Sequence, residues 1–285
     1  MGKFDDALKK TRAAKNEPAA KPVSNKVVEI SRENVEALSL DTQAPEPIAP
    51  KRHPFNGRID TRLVCLQDPS SPAAECFKVL RSKLLVGDSG ELRRTIMVTG
   101  AEPADGKSLV SANLAVSIAQ GMNHYVLLVD CDLRRPSQHK TFGLQVKQGL
   151  REYLEKGNSI APYLLKTPVG KLTLLPAGQP SSSPSELLGS EKMQALIQEL
   201  KGRYPDRFII LDSPPAHFTA ETSSLYTMMD GVLLVVRSGK TSREPVEDVV
   251  ANIGREKIIG VVFNASAEVQ RDYKYYYRYY KRGGD

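Results

Sequence analysis

Cysteine is scarce in this chain of 285 residues: Cys65, Cys76 and Cys131 are the whole complement, and no two share a CxxC spacing. They read as reduced thiols of a cytosolic protein rather than as a disulfide framework. Long hydrophobic runs are missing too. No apolar stretch approaches the length that spans a bilayer. The start, Met1-Gly2-Lys3-Phe4-Asp5-Asp6, contains no apolar signal core. If the protein works at a membrane, something else holds it there. There is no internal repeat. The formal net charge is +7, but part of the excess lies in the two ends, so no nucleic-acid partner is expected. A basic juxtamembrane surface or an acidic partner fits the charge equally well.

Aromatic residues make up 6% of the chain, and they are unevenly spent. Six of the eleven tyrosines, Tyr273, Tyr275, Tyr276, Tyr277, Tyr279 and Tyr280, fall within eight positions of each other near the C-terminus. Their neighbours are mostly charged, and the run has neither helical nor strand alternation. No packed core needs phenols at that density. A terminal segment of this kind can reach an active site and present hydroxyls to it.

The centre of the chain supplies a candidate site. Ile96-Met97-Val98-Thr99 reads as a buried strand. Gly100-Ala101-Glu102-Pro103-Ala104-Asp105-Gly106-Lys107-Ser108 follows, and Leu109 to Ala119 repeats apolar residues at helical spacing. Strand, small-residue loop, Gly-Lys-Ser and helix is the phosphate-binding P-loop arrangement. Backbone N–H groups from Ala104 and Asp105 through Gly106 to Leu109 would face phosphate oxygens at a helix N-terminus. Lys107 adds a point charge, and Ser108 offers a hydroxyl to Mg²⁺. The first glycine of the usual motif falls at Ala101, with Gly100 just before it.

Two more apolar runs end in aspartate. Val126–Val129 leads into Asp130-Cys131-Asp132-Leu133-Arg134, and Phe208–Leu211 into Asp212-Ser213-Pro214-Pro215. Runs without alternation suggest strands buried on both faces of a parallel sheet. Such sheets bind ligands at the carboxyl ends of their strands. Asp130, Asp132 and Asp212 are therefore expected beside the P-loop, where hard carboxylate oxygens suit Mg²⁺.

The remaining pattern predicts a helix over 73–86, then strand 96–99, helix 107–120, strands 125–129 and 171–175, helix 190–202, strands 207–211 and 231–236, helix 243–254 and strand 258–263. This alternation predicts an α/β fold: a mostly parallel sheet with helices on both faces, of P-loop NTPase type. Residues 1 to about 15 could form a short amphipathic helix through Phe4, Ala7 and Leu8, and the stretch to about 60 reads as a linker. The expected organisation is thus 1–60 helix and linker, 61–266 nucleotide domain, and 267–285 tyrosine tail.

Taken in order, the P-loop, Asp-x-Asp-x-Arg, Asp-x-Pro-Pro and terminal tyrosine cluster resemble the bacterial tyrosine autokinases of exopolysaccharide and capsule biosynthesis. Further matches are Gly149-Leu150, Leu175-Pro176-Ala177-Gly178 and Gly260-Val261-Val262-Phe263-Asn264. The resemblance implies a Mg·ATP-dependent protein-tyrosine kinase that phosphorylates its own tail between subunits. Ser108, Asp132 and Asp212 would surround Mg²⁺. One of Asp130 and Asp132 would orient or deprotonate the tyrosine hydroxyl, with Asp130 favoured as the base. Arg134 would meet phosphate or a neighbour's acidic face, and Asn264 would meet adenine. The family's Glu-x-x-Arg-x-x-Arg assembly motif corresponds to Glu75, Lys78 and Arg81, with lysine at the middle position, so a ring-like homo-oligomer is implied.

The first ten residues resemble family members paired with a separate membrane protein. That implies a cytoplasmic chain recruited to the inner face of the membrane by the cytoplasmic end of a transmembrane polysaccharide chain-length regulator, with a tyrosine phosphatase as a further partner. Two other functions fit parts of the sequence: a partition- or division-type ATPase, and a non-catalytic nucleotide-binding scaffold. The partition enzymes carry an extra P-loop lysine where this chain has Glu102.

Overall fold

The computed structural model describes residues 57–86, 93–203, 206–216 and 220–266. The expected N-terminal helix, nearly all of the expected linker and every tail tyrosine lie outside the described residues. Two helices come first, α1 (Val64–Gln67) and α2 (Pro72–Val86). Strand β1 (Thr95–Gly100) then leads through the phosphate loop into α3 (Lys107–Gln120) and on to β2 (Tyr125–Asp130). Two short helices, α4 (Gln138–Thr141) and α5 (Leu150–Lys156), precede the strands β3 (Leu165–Lys166) and β4 (Leu172–Leu175). After α6 (Pro184–Leu188) and α7 (Glu191–Arg203) come β5 (Arg207–Asp212), α8 (Ala220–Thr227), β6 (Gly231–Arg237), α9 (Arg243–Ile253) and β7 (Ile258–Asn264).

The strands form one sheet in the order β3-β4-β2-β5-β1-β6-β7. All neighbours are parallel except β3 and β4, which pair antiparallel. The expectation of a mostly parallel sheet is met. Because successive strand side chains point to opposite faces, each apolar run supplies two cores. Met97, Leu127, Val129, Ile209 and Leu211 pack on one face, and Ile96, Val98, Val126, Leu128 and Ile210 on the other. Continuous apolar runs were needed because helices cover both sides.

Helix α3 is buried from Val110 to Ala119. Side-chain amides fix it to the preceding segment: Asn113 Oδ1 accepts from the Cys65 backbone N–H at 3.0 Å, and Gln120 Nε2 donates to the Cys65 carbonyl at 2.7 Å. The α2 stripe is seated as its spacing predicts, with Leu84 buried and Phe77, Leu80 and Leu85 packed against the same core. Its charged residues divide differently. Glu75 and Lys78 pair within the helix at 2.9 Å, whereas Arg81 donates to the Ser117 carbonyl of α3 at 2.6 Å.

Two motifs distant in sequence meet away from the phosphate loop. The N–H groups of Leu150 and Arg151 donate to the carbonyls of Pro176 and Ala177. A Cβ on Gly149 would lie 2.1 Å from the Pro176 oxygen, so only glycine permits this approach. Gly149-Leu150 and Pro176-Ala177-Gly178 therefore belong to one docking of α5 on the end of β4.

Candidate active site

The phosphate loop begins where β1 ends, between β5 and β6 in the sheet, and β2 follows on the far side of β5. Gly106 takes φ +94° and Ala104 φ +66°, so the backbone coils just ahead of α3. Alternating conformations of this kind turn successive N–H groups towards one anion. Asp105 is buried and holds the coil from inside: its Oδ2 accepts from the Glu102 N–H at 2.8 Å, and its Oδ1 from the Thr241 hydroxyl at 2.7 Å. Outside contacts brace it. Arg237 Nη1 donates to the Ala104 carbonyl at 3.0 Å, and Asn264 Nδ2 to the Asp105 carbonyl at 2.9 Å. Arg237 and Thr241 are not among the expected site residues, because spacing alone does not show that β6 ends beside the loop.

Lys107 is 6% exposed, and its ammonium donates to the Glu102 carbonyl across the loop at 3.0 Å. Burial pulls its pKa down, while the Asp105, Asp212 and Asp132 carboxylates pull it up. The net effect is a lowered pKa, which the three acidic neighbours offset only in part.

The three strand-end aspartates have different surroundings. Asp130 and Asp212 are register partners on β2 and β5, and both are fully buried. Asp130 Oδ1 accepts from the Asp132 N–H at 3.2 Å, and Oδ2 from the N–H groups of Ser137 and Gln138 at 3.0 Å each. Asp212 Oδ2 accepts from Gln138 Nε2 at 2.7 Å, whereas its Oδ1 is buried without a partner. Burial raises both carboxyl pKa values; the charge of Asp212 raises Asp130 further, and the Gln138 amide and Ser108 hydroxyl hold Asp212 back. Asp132 lies beyond the strand and is partly exposed; its Oδ1 accepts the Arg135 N–H at 2.9 Å.

A cleft of about 490 Å³ opens over the loop, lined by Lys107, Ser108, Leu109, Asp132, Arg134 and Pro214 among others. Neither Asp130 nor Asp212 is among its lining residues. The expected preference for Asp130 as the base therefore does not match its surroundings: a carboxylate covered by three backbone N–H groups has no approach for a hydroxyl. Asp132 has one.

The residues present fit a divalent cation. Asp212 keeps a buried oxygen unpaired, and an orphan acceptor in a buried position marks a missing donor or cation. The Ser108 hydroxyl, close enough to the Asp212 carboxyl to hold its pKa down, adds a second hard oxygen. Among the described residues no cluster of three or more His, Cys, Asp or Glu forms a dedicated cage. Mg²⁺ in nucleotide sites takes one or two protein oxygens and completes its shell with phosphate and water. Also among the described residues, no helix is long and apolar enough to cross a membrane.

Known proteins resemble this chain in sequence and fold. An AAA-domain family profile matches residues 93–259. The tyrosine-protein kinase YwqD of Bacillus subtilis is 31% identical over 222 residues, which span 77% of this chain and 92% of that one. Among solved structures, the chimerical protein CapA2B2 superposes with a TM-score of 0.67 at 29% identity, covering 82% of this chain and 98% of that one. The kinase domain of Escherichia coli tyrosine kinase ETK gives 0.66 at 26% identity, covering 76% and 85%. Together with the central phosphate loop and the aspartates around it, these likenesses show that the chain belongs to the bacterial tyrosine-protein kinases built on a P-loop nucleotide-binding fold.

Proposed function

We propose that this kinase transfers the γ-phosphoryl group of Mg·ATP to tyrosines of its own C-terminal tail, between subunits, and so regulates exopolysaccharide or capsule synthesis and export. The observation that carries the reading is that Lys107, Ser108 and the accessible carboxylate of Asp132 line one cleft.

Phosphoryl transfer asks for positioning and charge neutralisation more than covalent chemistry from the protein. The loop N–H groups and Lys107 hold the phosphates. Ser108 and Asp212 would hold Mg²⁺, with Asp132 in support, and the ion when bound would neutralise charge on the phosphate oxygens. Asp132 orients the incoming tyrosine and accepts its proton as the phenolic oxygen bonds to the γ-phosphorus. The bond to the bridging oxygen breaks, and ADP leaves. Arg134, on the cleft rim, offers charge to phosphate. Asn264, whose Nδ2 donates to the Asp105 carbonyl, is the residue to which the resemblance gives the adenine contact. Asp130 supports the neighbouring backbone and does not meet the substrate.

The candidate acceptors are Tyr273, Tyr275, Tyr276, Tyr277, Tyr279 and Tyr280. From Arg271 onward the tail carries five basic and two acidic side chains. Each phosphotyrosine adds about −1.5 to −2 charges, so several would invert its sign and drive it from a site rimmed by aspartates and phosphates. Subunits holding one another's tails imply a ring. Glu75 and Lys78 remain available as contacts, while Arg81 is engaged within the chain. The resemblance supports the cytoplasmic end of a transmembrane chain-length regulator as membrane recruiter and a tyrosine phosphatase as the opposing enzyme.

Mixing a tail-less active chain with a full-length Lys107→Met chain tests the proposal. The first lacks the tail acceptors, and the second cannot transfer phosphate. Phosphotyrosine on the inactive chain, rising with concentration, is the expected result. No labelling where the wild type labels itself would make the reaction intramolecular and remove the case for a ring.

A further inference from the structure

Gln138 opens α4, and its side chain is fully buried. Three acceptors surround its Nε2: Asp212 Oδ2 at 2.7 Å, the Ser108 carbonyl at 2.9 Å and the Ser111 hydroxyl at 3.2 Å. An amide nitrogen carries two hydrogens. The two short bonds, to Asp212 and Ser108, use them, and Ser111 is a weaker third contact. The same geometry fixes which way the amide points. With oxygen and nitrogen exchanged, the oxygen would face a carboxylate and a carbonyl, acceptor against acceptor.

Gln138 therefore ties three elements together. Its side chain joins β5, through Asp212, to the start of α3, through Ser108. Its backbone N–H, with that of Ser137, ends on Asp130 Oδ2 and anchors the whole turn to β2. We infer that Gln138 is a positioning residue for the divalent cation that accompanies the nucleotide. By occupying Asp212 Oδ2 and gripping the Ser108 backbone, it leaves Asp212 Oδ1 free and holds that oxygen in fixed relation to the Ser108 hydroxyl. A neutral donor suits this task. A lysine would neutralise the carboxylate that the cation needs, and a glutamate would repel it. Asp130 gains an explanation as well: its buried carboxylate anchors the turn that carries Gln138. This inference rests on the proposed metal-binding role of Ser108 and Asp212.

The test is Mg²⁺ titration of fluorescent ADP (mant-ADP) binding to the full chain, with thermal unfolding recorded for every variant. Gln138→Met keeps length and packing but removes the donor. Loss of an outer-shell partner typically weakens metal affinity about 10- to 100-fold. Gln138→Met should therefore raise the half-saturating Mg²⁺ concentration about 10-fold, while binding of mant-ADP without Mg²⁺ stays unchanged. Asp212→Asn, run in parallel, should lose the Mg²⁺ response. If Asp212→Asn keeps a wild-type response, the metal-site reading itself is wrong. If Asp212→Asn loses it and Gln138→Met does not, the role of Gln138 alone is overturned. Equal weakening of binding with and without Mg²⁺ in Gln138→Met would mark a general structural role and also overturn it. Should Gln138→Met not fold, Gln138→Asn, which keeps the amide but withdraws it, is held to the same criterion. Failure of both to fold would make the residue structural and refute the inference.

Discussion

Asp130 and Asp212 face each other in the register of β2 and β5, yet their carboxylates are used in opposite ways. Asp130 has both oxygens bonded to backbone N–H groups, whereas Asp212 has one oxygen held by Gln138 and the other without a partner. Two buried carboxylates side by side repel unless one is protonated or a cation intervenes. The pair is built with one member closed by the fold and one left open for a guest.

Substituting each aspartate with asparagine should separate the roles. Asp132→Asn removes a partly exposed carboxylate on the cleft, so tail phosphorylation should fall about 10²- to 10⁴-fold with little change in unfolding temperature. Asp130→Asn places an NH₂ group against backbone donors and should destabilise the fold by about 1–3 kcal/mol. Labelling rates and thermal unfolding on the same samples decide it. A larger catalytic loss in a stable Asp130→Asn protein would return the base to Asp130.

Lys107→Met should reduce phosphotyrosine formation by at least about 10²-fold, the usual consequence of losing a preorganised charge at a transferring group. Stability should change little. The lysine is buried but makes its one hydrogen bond to the Glu102 carbonyl, and burial already opposes its charge. Wild-type labelling in the mutant would remove the phosphate-loop assignment.

The helices and strands expected from residue 73 onward each match an observed one, with bounds within about two residues, because continuous apolar runs and helical spacing are local signals. The site was legible to the level of strand ends. The sequence pattern brings Asp130, Asp132 and Asp212 to the phosphate loop, but it does not separate Asp130 from Asp132. What separates them is the fold of residues 131–137, which returns the N–H groups of Ser137 and Gln138 over Asp130. Gln138 escaped notice for the same reason: α4 has four residues, too few to show a period, and its partners lie 27 to 74 positions away. Arg81 is expected as an assembly contact, yet its guanidinium reaches a carbonyl on α3. Short elements and polar bonds between distant elements carry little sequence signal.

Without nucleotide, the protein should lose stability as pH rises between 6.5 and 8.5. Burial, then the Asp212 charge, push Asp130 up to about 8, and burial pushes Asp212 up to about 6. A raised carboxyl pKa means the folded chain holds a proton that the unfolded chain has released. That contribution is complete below the unfolded value near 3.8 and disappears as pH passes the folded one. His139 and Lys107, whose pKa values burial lowers, act with opposite sign, the first only below 6.5 and the second only below 10.5, so Asp130→Asn is what isolates the carboxyl contribution. Melting temperature against pH should slope downward, and Asp130→Asn should flatten the slope. Mg·ADP should raise the melting temperature more at pH 8 than at pH 6.5, because a cation favours the ionised pair. A flat or rising profile for the unliganded wild type would contradict the buried-pair account.

Gly106 and Asn264 should behave as one unit. Gly106 takes φ +94°, a left-handed conformation that costs a non-glycine residue about 1–3 kcal/mol. A Cβ there would also lie 2.0 Å from Asn264 Nδ2, the donor to the Asp105 carbonyl. Gly106→Ala must therefore strain the loop and push the asparagine off it, and ADP affinity should fall at least about 10-fold, since backbone strain of that size falls directly on the binding conformation. Asn264→Ala alone removes the hydrogen bond and leaves the glycine conformation intact, so its effect should be smaller. In the double variant the clash has already gone and the lost bond is counted once. The combined loss should therefore fall short of the sum by about 0.5–3 kcal/mol, as for residues in contact. Calorimetric ADP binding across the four proteins measures this coupling. Strict additivity would mean that Asn264 does not rest on the loop, and would remove the link between the end of β7, where the tail begins, and the phosphate site.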